Sequence, residues 1–198
     1  MAVLLTDEQV LDVRERIRAV AERQIVEHGI AALSLRSLAA ELGWTAASLY
    51  RYYAGKDELL DAVRTAAHLR FAARIEQAYA GTSDLWERSR AIGDAYVDFA
   101  AREPAAYQLM FAYGQDGSEK SAALRAAEQR SSHTLTTYVR EMVNAGLLEG
   151  DADLIAHAYW AAMHGLVVLR MAGKLGASPP FDMLRHAAVR LITRGARP

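Results

Sequence analysis

Prolines stand at only four positions of this 198-residue chain, 104, 179, 180 and 198, while alanine makes up about a fifth of it. Proline removes an amide donor and breaks a helix interior, and alanine is the best helix former, so long stretches contain nothing that interrupts a helix. No segment alternates β-branched and polar residues around a hairpin turn. The one Asp-Gly, at Asp116 and Gly117, lies between helical patterns. The expected fold class is all-α, with about nine helices.

Local signals place the first boundaries. Thr6-Asp7-Glu8-Gln9 has the form of a capping box and opens a helix whose apolar stripe, Val13, Ile17, Val20, Ala21 and Ile25, has helical period and stops at Gly29. Ser34 caps a second, two-turn helix that buries Leu35, Leu38, Ala39 and Leu42 and ends at Gly43. Thr45 caps a third short helix expected to run through Tyr53, and after Ala54-Gly55 a long helix runs from Lys56 to about Tyr79. Turns at Thr82 to Asp84, Glu103-Pro104, Gly114 to Ser118, Gly146 to Asp151 and Gly173 to Pro180 divide the remainder into about five helices. The expected division is a first domain over 1–56 and a second over 57–198.

Charge and cysteine content narrow the chemistry. With 23 Lys and Arg against 24 Asp and Glu the net charge is −1, so any surface for nucleic acid has to be local. There is no cysteine, which removes disulfides, thiolate nucleophiles and zinc fingers. Asp7, Glu8, Asp12, Arg14 and Glu15 stand where a secretory leader would be apolar. The longest uncharged apolar run, Ala158 to Leu169, contains His164 and falls short of the roughly 20 residues that span a bilayer. A cytoplasmic protein without membrane contact is the expectation.

Two short helices joined by Leu42-Gly43-Trp44 have the length and punctuation of a helix-turn-helix. After the turn, Thr45, Ser48, Tyr50, Arg51, Tyr52 and Lys56 gather hydroxyl and cationic donors within a dozen positions, while Leu49 and Tyr53 hold the inner face. From Ile30 to Lys56 the charged residues are Arg36, Arg51 and Lys56 against Glu41, a local excess in a neutral chain.

The string from Leu33-Ser34-Leu35-Arg36 through Leu42-Gly43-Trp44-Thr45-Ala46-Ala47-Ser48-Leu49-Tyr50-Arg51-Tyr52-Tyr53 to Gly55-Lys56-Asp57-Glu58 resembles the DNA-binding domain of the TetR family of bacterial transcriptional regulators. The resemblance covers about residues 10 to 62. It implies a homodimer on a double-stranded DNA operator, with the helix from Thr45 in the major groove and Tyr50, Tyr52 and Lys56 on the backbone. Base contact falls to Thr45, Ser48, Arg51 and Arg36, with Ala46 and Ala47 offering methyl groups to thymine and Ser34 completing the set. Ala47 stands where the family commonly has glycine, and Trp44 where a smaller aliphatic residue is usual.

Further on, Glu103-Pro104-Ala105-Ala106-Tyr107-Gln108-Leu109-Met110-Phe111 and Trp160-Ala161-Ala162-Met163-His164-Gly165 resemble the C-terminal domain of a TetR subfamily marked by a Trp-His-Gly signature. The resemblance implies an unidentified small-molecule ligand. Candidate ligand residues are Tyr96, Phe99, Tyr107, Met110, Phe111, Trp160 and His164, although aromatic residues at helical spacing are more often core. Met142, Val143 and Leu147, Leu154 to Leu169, and Leu184, Ala188 and Leu191 are candidates for a dimer interface. No grouping nominates a catalytic residue, cofactor or metal site. Two other readings stay open: a helical interaction protein of this fold without DNA binding, and an all-α metal-binding enzyme using Asp153, His157 and His164.

Overall fold

The computed structural model describes residues 6–111 and 120–197, and the turn expected at Gly114 to Ser118 lies outside them. The described residues form nine α-helices and no strand: α1 (Asp7–His28), α2 (Leu35–Leu42), α3 (Ala46–Leu49), α4 (Lys56–Ala80), α5 (Leu85–Arg102), α6 (Pro104–Met110), α7 (Ala122–Asn144), α8 (Ala152–Met171) and α9 (Phe181–Gly195). A single 3-10 turn, Ile30–Ala32, links α1 to α2. Pro104 opens α6 and Pro180 caps α9, positions where a missing N–H costs nothing.

Caps set the ends of the first helices. The Thr6 hydroxyl accepts from the Gln9 amide at 3.3 Å while the Gln9 side chain accepts from the Thr6 amide at 2.9 Å, a reciprocal box. Ser34 and Ser37 repeat the device at α2. Gly43 ends α2 with φ 68°, a left-handed conformation that glycine adopts without a Cβ clash, and the Trp44 amide returns to the Ala39 carbonyl at 2.8 Å.

α3 is shorter than its sequence pattern suggests. It stops at Leu49, and the amides of Tyr52 and Tyr53 both donate to the Leu49 carbonyl, closing a turn. Tertiary contacts take over there. The Arg14 guanidinium donates to the Tyr52 carbonyl, and the Tyr53 hydroxyl donates to the Arg14 carbonyl at 3.1 Å.

The chain divides into two units, one of residues 1–68 with 105–127, the other of 69–104 with 128–198. In the first, Ile17, Ala21, Leu38, Leu49 and Leu59 are fully buried in one apolar cluster that also takes in Leu33, Val63 and Leu109. α6 is tied into this unit, since the Leu109 carbonyl accepts from buried Arg64 on α4 at 3.2 Å. Asp61, also buried on α4, accepts from the Ser121 amide at 2.8 Å just before α7. The second unit is centred on Phe71, whose ring meets Tyr96 and Phe99 edge-on at 5.4 and 5.2 Å. Ion pairs Arg74 with Asp98 at 2.7 Å and Arg88 with Glu141 at 2.6 Å join its helices.

Candidate nucleic-acid interface and the cavities of the second unit

In the first unit, α2, the Gly43 turn and α3 form a helix-turn-helix whose inner face is closed by Leu38, Leu49 and Tyr53. Arg14 braces its far end. Besides the Tyr52 carbonyl, its guanidinium holds the Glu58 carboxylate at 2.7 Å and lies 4.2 Å from the centre of the Tyr53 ring. Glu58 also accepts from the Ala54 amide at 2.6 Å. Burial pushes the Glu58 carboxyl upward, but the Ala54 and Arg14 hydrogen bonds and the Arg14 charge outweigh it, leaving the group below the usual carboxylate value. A sequence scan passes over Arg14 because its partners lie about forty positions away.

The proposed contact residues occupy different situations. Arg36, Thr45, Tyr50 and Arg51 are exposed, Tyr50 by 59%. Arg36 and Arg51 make no ion pair among the described residues. Glu41, the acidic residue of this segment, is engaged elsewhere: Gln24 and Arg23 bind its carboxylate and hold it below the usual value. Thr45 caps α3 by accepting from the Ser48 amide at 3.3 Å, and the two hydroxyls meet at 2.9 Å. Ser34 is likewise occupied as the α2 cap. Ala46 is half-buried and packs on the apolar cluster, and Tyr52 packs there too, its ring 6.2 Å from Trp44. The Lys56 ammonium donates to the Ile30 carbonyl at 3.1 Å, stitching the start of α4 to the 3-10 turn. The solvent-facing donors are therefore Arg36, Thr45, Tyr50 and Arg51, with Lys56 at their border.

The aromatic set divides between the units. Tyr107, Met110 and Phe111 belong to the first, where Tyr107 is buried and its ring lies 4.9 Å from that of Phe111. Tyr96, Phe99, Trp160 and His164 belong to the second. There the Trp160 indole N–H donates to the Tyr96 hydroxyl at 3.2 Å, and that oxygen lies 3.4 Å from His164 Nδ1. Burial pushes the His164 imidazole down, favouring its neutral form. Tyr96 and Trp160 line a niche of about 50 Å³, whereas Phe99 is fully buried against Phe71. A wider cleft of about 520 Å³ opens between α5, α8 and α9. Its lining residues escape sequence reading because Trp86 and Arg197 are more than a hundred positions apart and belong to no motif.

Among the described residues no group of three or more His, Cys, Asp or Glu side chains is arranged to hold a metal. Asp153 instead pairs with Arg140 at 3.0 Å, and the His157 ring meets the Asp153 carbonyl. α8 is long and apolar enough by composition to cross a membrane, with a mean hydropathy of 1.3, and little of it is buried within the protomer. Leu154, Trp160, Val168 and Leu169 on α8, and Met183 and Leu191 on α9, are exposed. Met142, a candidate for the dimer interface, is 1% exposed and serves the protomer's own core.

Comparison with known proteins decides the family. Residues 17–63 match the family model of bacterial regulatory proteins of the tetR family, and residues 89–192 match that of a tetracyclin repressor-like C-terminal domain. The chain belongs to the TetR family. The HTH-type transcriptional regulator Rv1816 of Mycobacterium tuberculosis is 31% identical over 152 residues, which span 72% of this chain and 62% of that protein. This TetR-family chain therefore matches less than two thirds of that relative's length. A solved structure of a protein of unknown function from Rhodococcus sp. RHA1 is 30% identical, with 93% of this chain and 95% of that chain covered at a TM-score of 0.83. The TetR regulator PfmR from Thermus thermophilus, 23% identical, shares the fold at a TM-score of 0.66 over 90% of this chain and 97% of its own.

Proposed function

We propose that this TetR-family protein is a ligand-responsive transcriptional repressor that binds a palindromic double-stranded operator as a homodimer. The observation that carries the reading is the outer face of the helix-turn-helix. Arg36, Tyr50 and Arg51 point donors to solvent with no carboxylate among the described residues to neutralise them, on helices whose inner faces are locked by Leu38, Leu49 and Tyr53. Donors on a rigid scaffold are what phosphate and base-edge contacts need. Thr45 and Ser48 share a hydrogen bond and retain lone pairs and a proton for a base edge. Residues 1–56 serve as the reading head. The exposed apolar side chains of α8 and α9 serve as the two-fold interface, since Leu154 and Leu191 are about 70% exposed and a lone protomer gains nothing from presenting them to water.

α4 carries the signal. It begins in the reading unit and ends in the other, so a ligand that prefers one arrangement of the second unit changes the spacing of two heads that must meet half-sites about one helical turn or more apart. A hundredfold change in operator affinity requires a differential ligand affinity of about 2.7 kcal/mol. Trp160, His164 and Gly165, all on α8, support placement in the subfamily named for those residues. A repressor acts on the chromosome, which places it in the cytoplasm.

Selection of bound duplexes from a random-sequence pool tests the reading. A two-fold-related motif is the expected product. Recovery of duplexes with no common motif would overturn it.

A further inference from the structure

The cleft between α5, α8 and α9 has an apolar floor and a cationic rim. Trp86 and Gly93 of α5, Met163 of α8 and Val189 of α9 form the floor. Arg90 stands on one side, His186, Arg190 and Arg197 on the other, and Arg185 also reaches the cleft. Arg185 is already neutralised, paired to Asp94 at 2.5 Å and to Asp182 at 2.7 Å, so those two carboxylates are spent on it. Arg90 and Arg190 have no acidic partner among the described residues. Arg197 lies over the Trp86 ring at 5.4 Å, a contact that fixes the side chain without cancelling its charge.

Three guanidiniums lining one largely apolar cleft repel one another, and their field is relieved by an anion at the mouth. Guanidinium groups grip carboxylate, sulfonate and phosphate oxygens through paired N–H donors, while the floor takes an apolar body. The volume of about 520 Å³ lies within the ordinary range for small-molecule sites. The wall continues inward: Ser89, Gly93, Met163 and Val189 line both the cleft and the niche that holds Tyr96 and Trp160. Gly93 keeps that wall low. A Cβ there would meet only the Met163 methyl, at 3.7 Å, so a larger side chain has room to grow into the cavity.

The positions that line the cleft on α9, 185, 186, 189, 190 and 193, recur at helical spacing, while exposed Leu191 falls on a neighbouring face. A two-fold interface through Leu191 therefore leaves the α9 wall of the cleft open.

We infer that this cleft binds an amphipathic organic anion, its charged head between Arg90, Arg190 and Arg197 and its apolar body on Trp86, Gly93 and Met163. The inference names the class of effector and rests on the regulator reading only for its consequence at DNA, so binding is measured first without DNA. The probes are anilinonaphthalene sulfonate and its uncharged parent N-phenylnaphthylamine, titrated by fluorescence into the full chain. The sulfonate is expected to saturate at one per protomer and to bind at least about tenfold more tightly than the parent, the margin of one charge-assisted contact. In the double variant R90Q/R190Q that preference falls to within about twofold while the parent binds as before. Gly93→Leu weakens both probes, and because leucine is the better helix former its melting temperature does not fall. Equal affinity for the two probes would overturn the assignment, as would unchanged sulfonate affinity in R90Q/R190Q or in Gly93→Leu. A second arm adds the selected operator duplex. Loss of operator affinity at saturating sulfonate supports the regulatory role. Retained affinity overturns that role and leaves the site standing, and absence of any selected duplex defeats the repressor reading alone.

Discussion

Replacing Arg14 with methionine keeps an unbranched, flexible stem and removes a guanidinium that makes three contacts at the end of the helix-turn-helix. Arg14 is 34% exposed and Glu58 40%, so the ion pair is worth the modest amount of a surface pair, about 0.5 kcal/mol. The hydrogen bond to the Tyr52 carbonyl adds about 1 kcal/mol and the contact with the Tyr53 ring about 0.5 kcal/mol. One group makes all three contacts, so the sum of about 2 kcal/mol is an upper figure. For a chain of this size that corresponds to a fall in melting temperature of roughly 4–8 °C, read by circular dichroism at pH 7. The pH arm follows from Glu58. Its folded carboxyl titrates below its ordinary value of 4.5, so the pairing stabilises the fold above that value and is lost as pH falls through the lower folded one. The gap between Arg14→Met and the parent therefore narrows as pH is taken below about 4.5. A melting temperature within about 1 °C of the parent at pH 7, or a gap independent of pH, would refute the brace.

Three further outcomes follow from the same structure. Lys56→Ala should weaken binding to all DNA sequences alike and lower the salt slope of association by about 0.9 per subunit, read from titrations at several ionic strengths; an unchanged slope removes Lys56 from the phosphate contacts. Gly43→Ala places a Cβ at φ 68° with open space around it, so its cost is backbone strain alone, about 1–2 kcal/mol, seen as a fall in melting temperature of roughly 2–8 °C; no fall would mean that the turn tolerates a side chain. The pair L154E/L191E should convert the dimer to a monomer by light scattering without lowering helix content. A persisting dimer would place the interface elsewhere.

The elements that sequence alone makes legible are those built from local signals. Thr6 with Gln9, Ser34 with Ser37, and the glycines at 29 and 43 act on neighbours within four positions, and the boundaries of α1 and α2 fall where these residues put them. α3 falls short of its sequence pattern because its last turn is decided by Arg14, a residue of α1 whose grip on Tyr52 has no sequence trace. Ala46 shows the same limit. The string around it identifies the motif, yet only packing shows that its methyl group meets the apolar cluster. The aromatic residues of the second half carry helical spacing, which marks a buried face without saying whose. Tyr107, Met110 and Phe111 serve the first unit, and Phe99 serves the core of the second. The cationic cleft is invisible in the sequence because α5 and α9 meet only in three dimensions, and no spacing rule couples Arg90 to Arg190.

The measurement that tests the central claim most directly is fluorescence anisotropy of the purified protein with the DNA just upstream of its own gene, at several salt concentrations, against unrelated duplex. The account predicts tight binding to the upstream DNA that falls steeply with salt, and at least about a thousandfold weaker binding to the control. Equal, weak binding to both duplexes, together with no motif from the random pool, would contradict it.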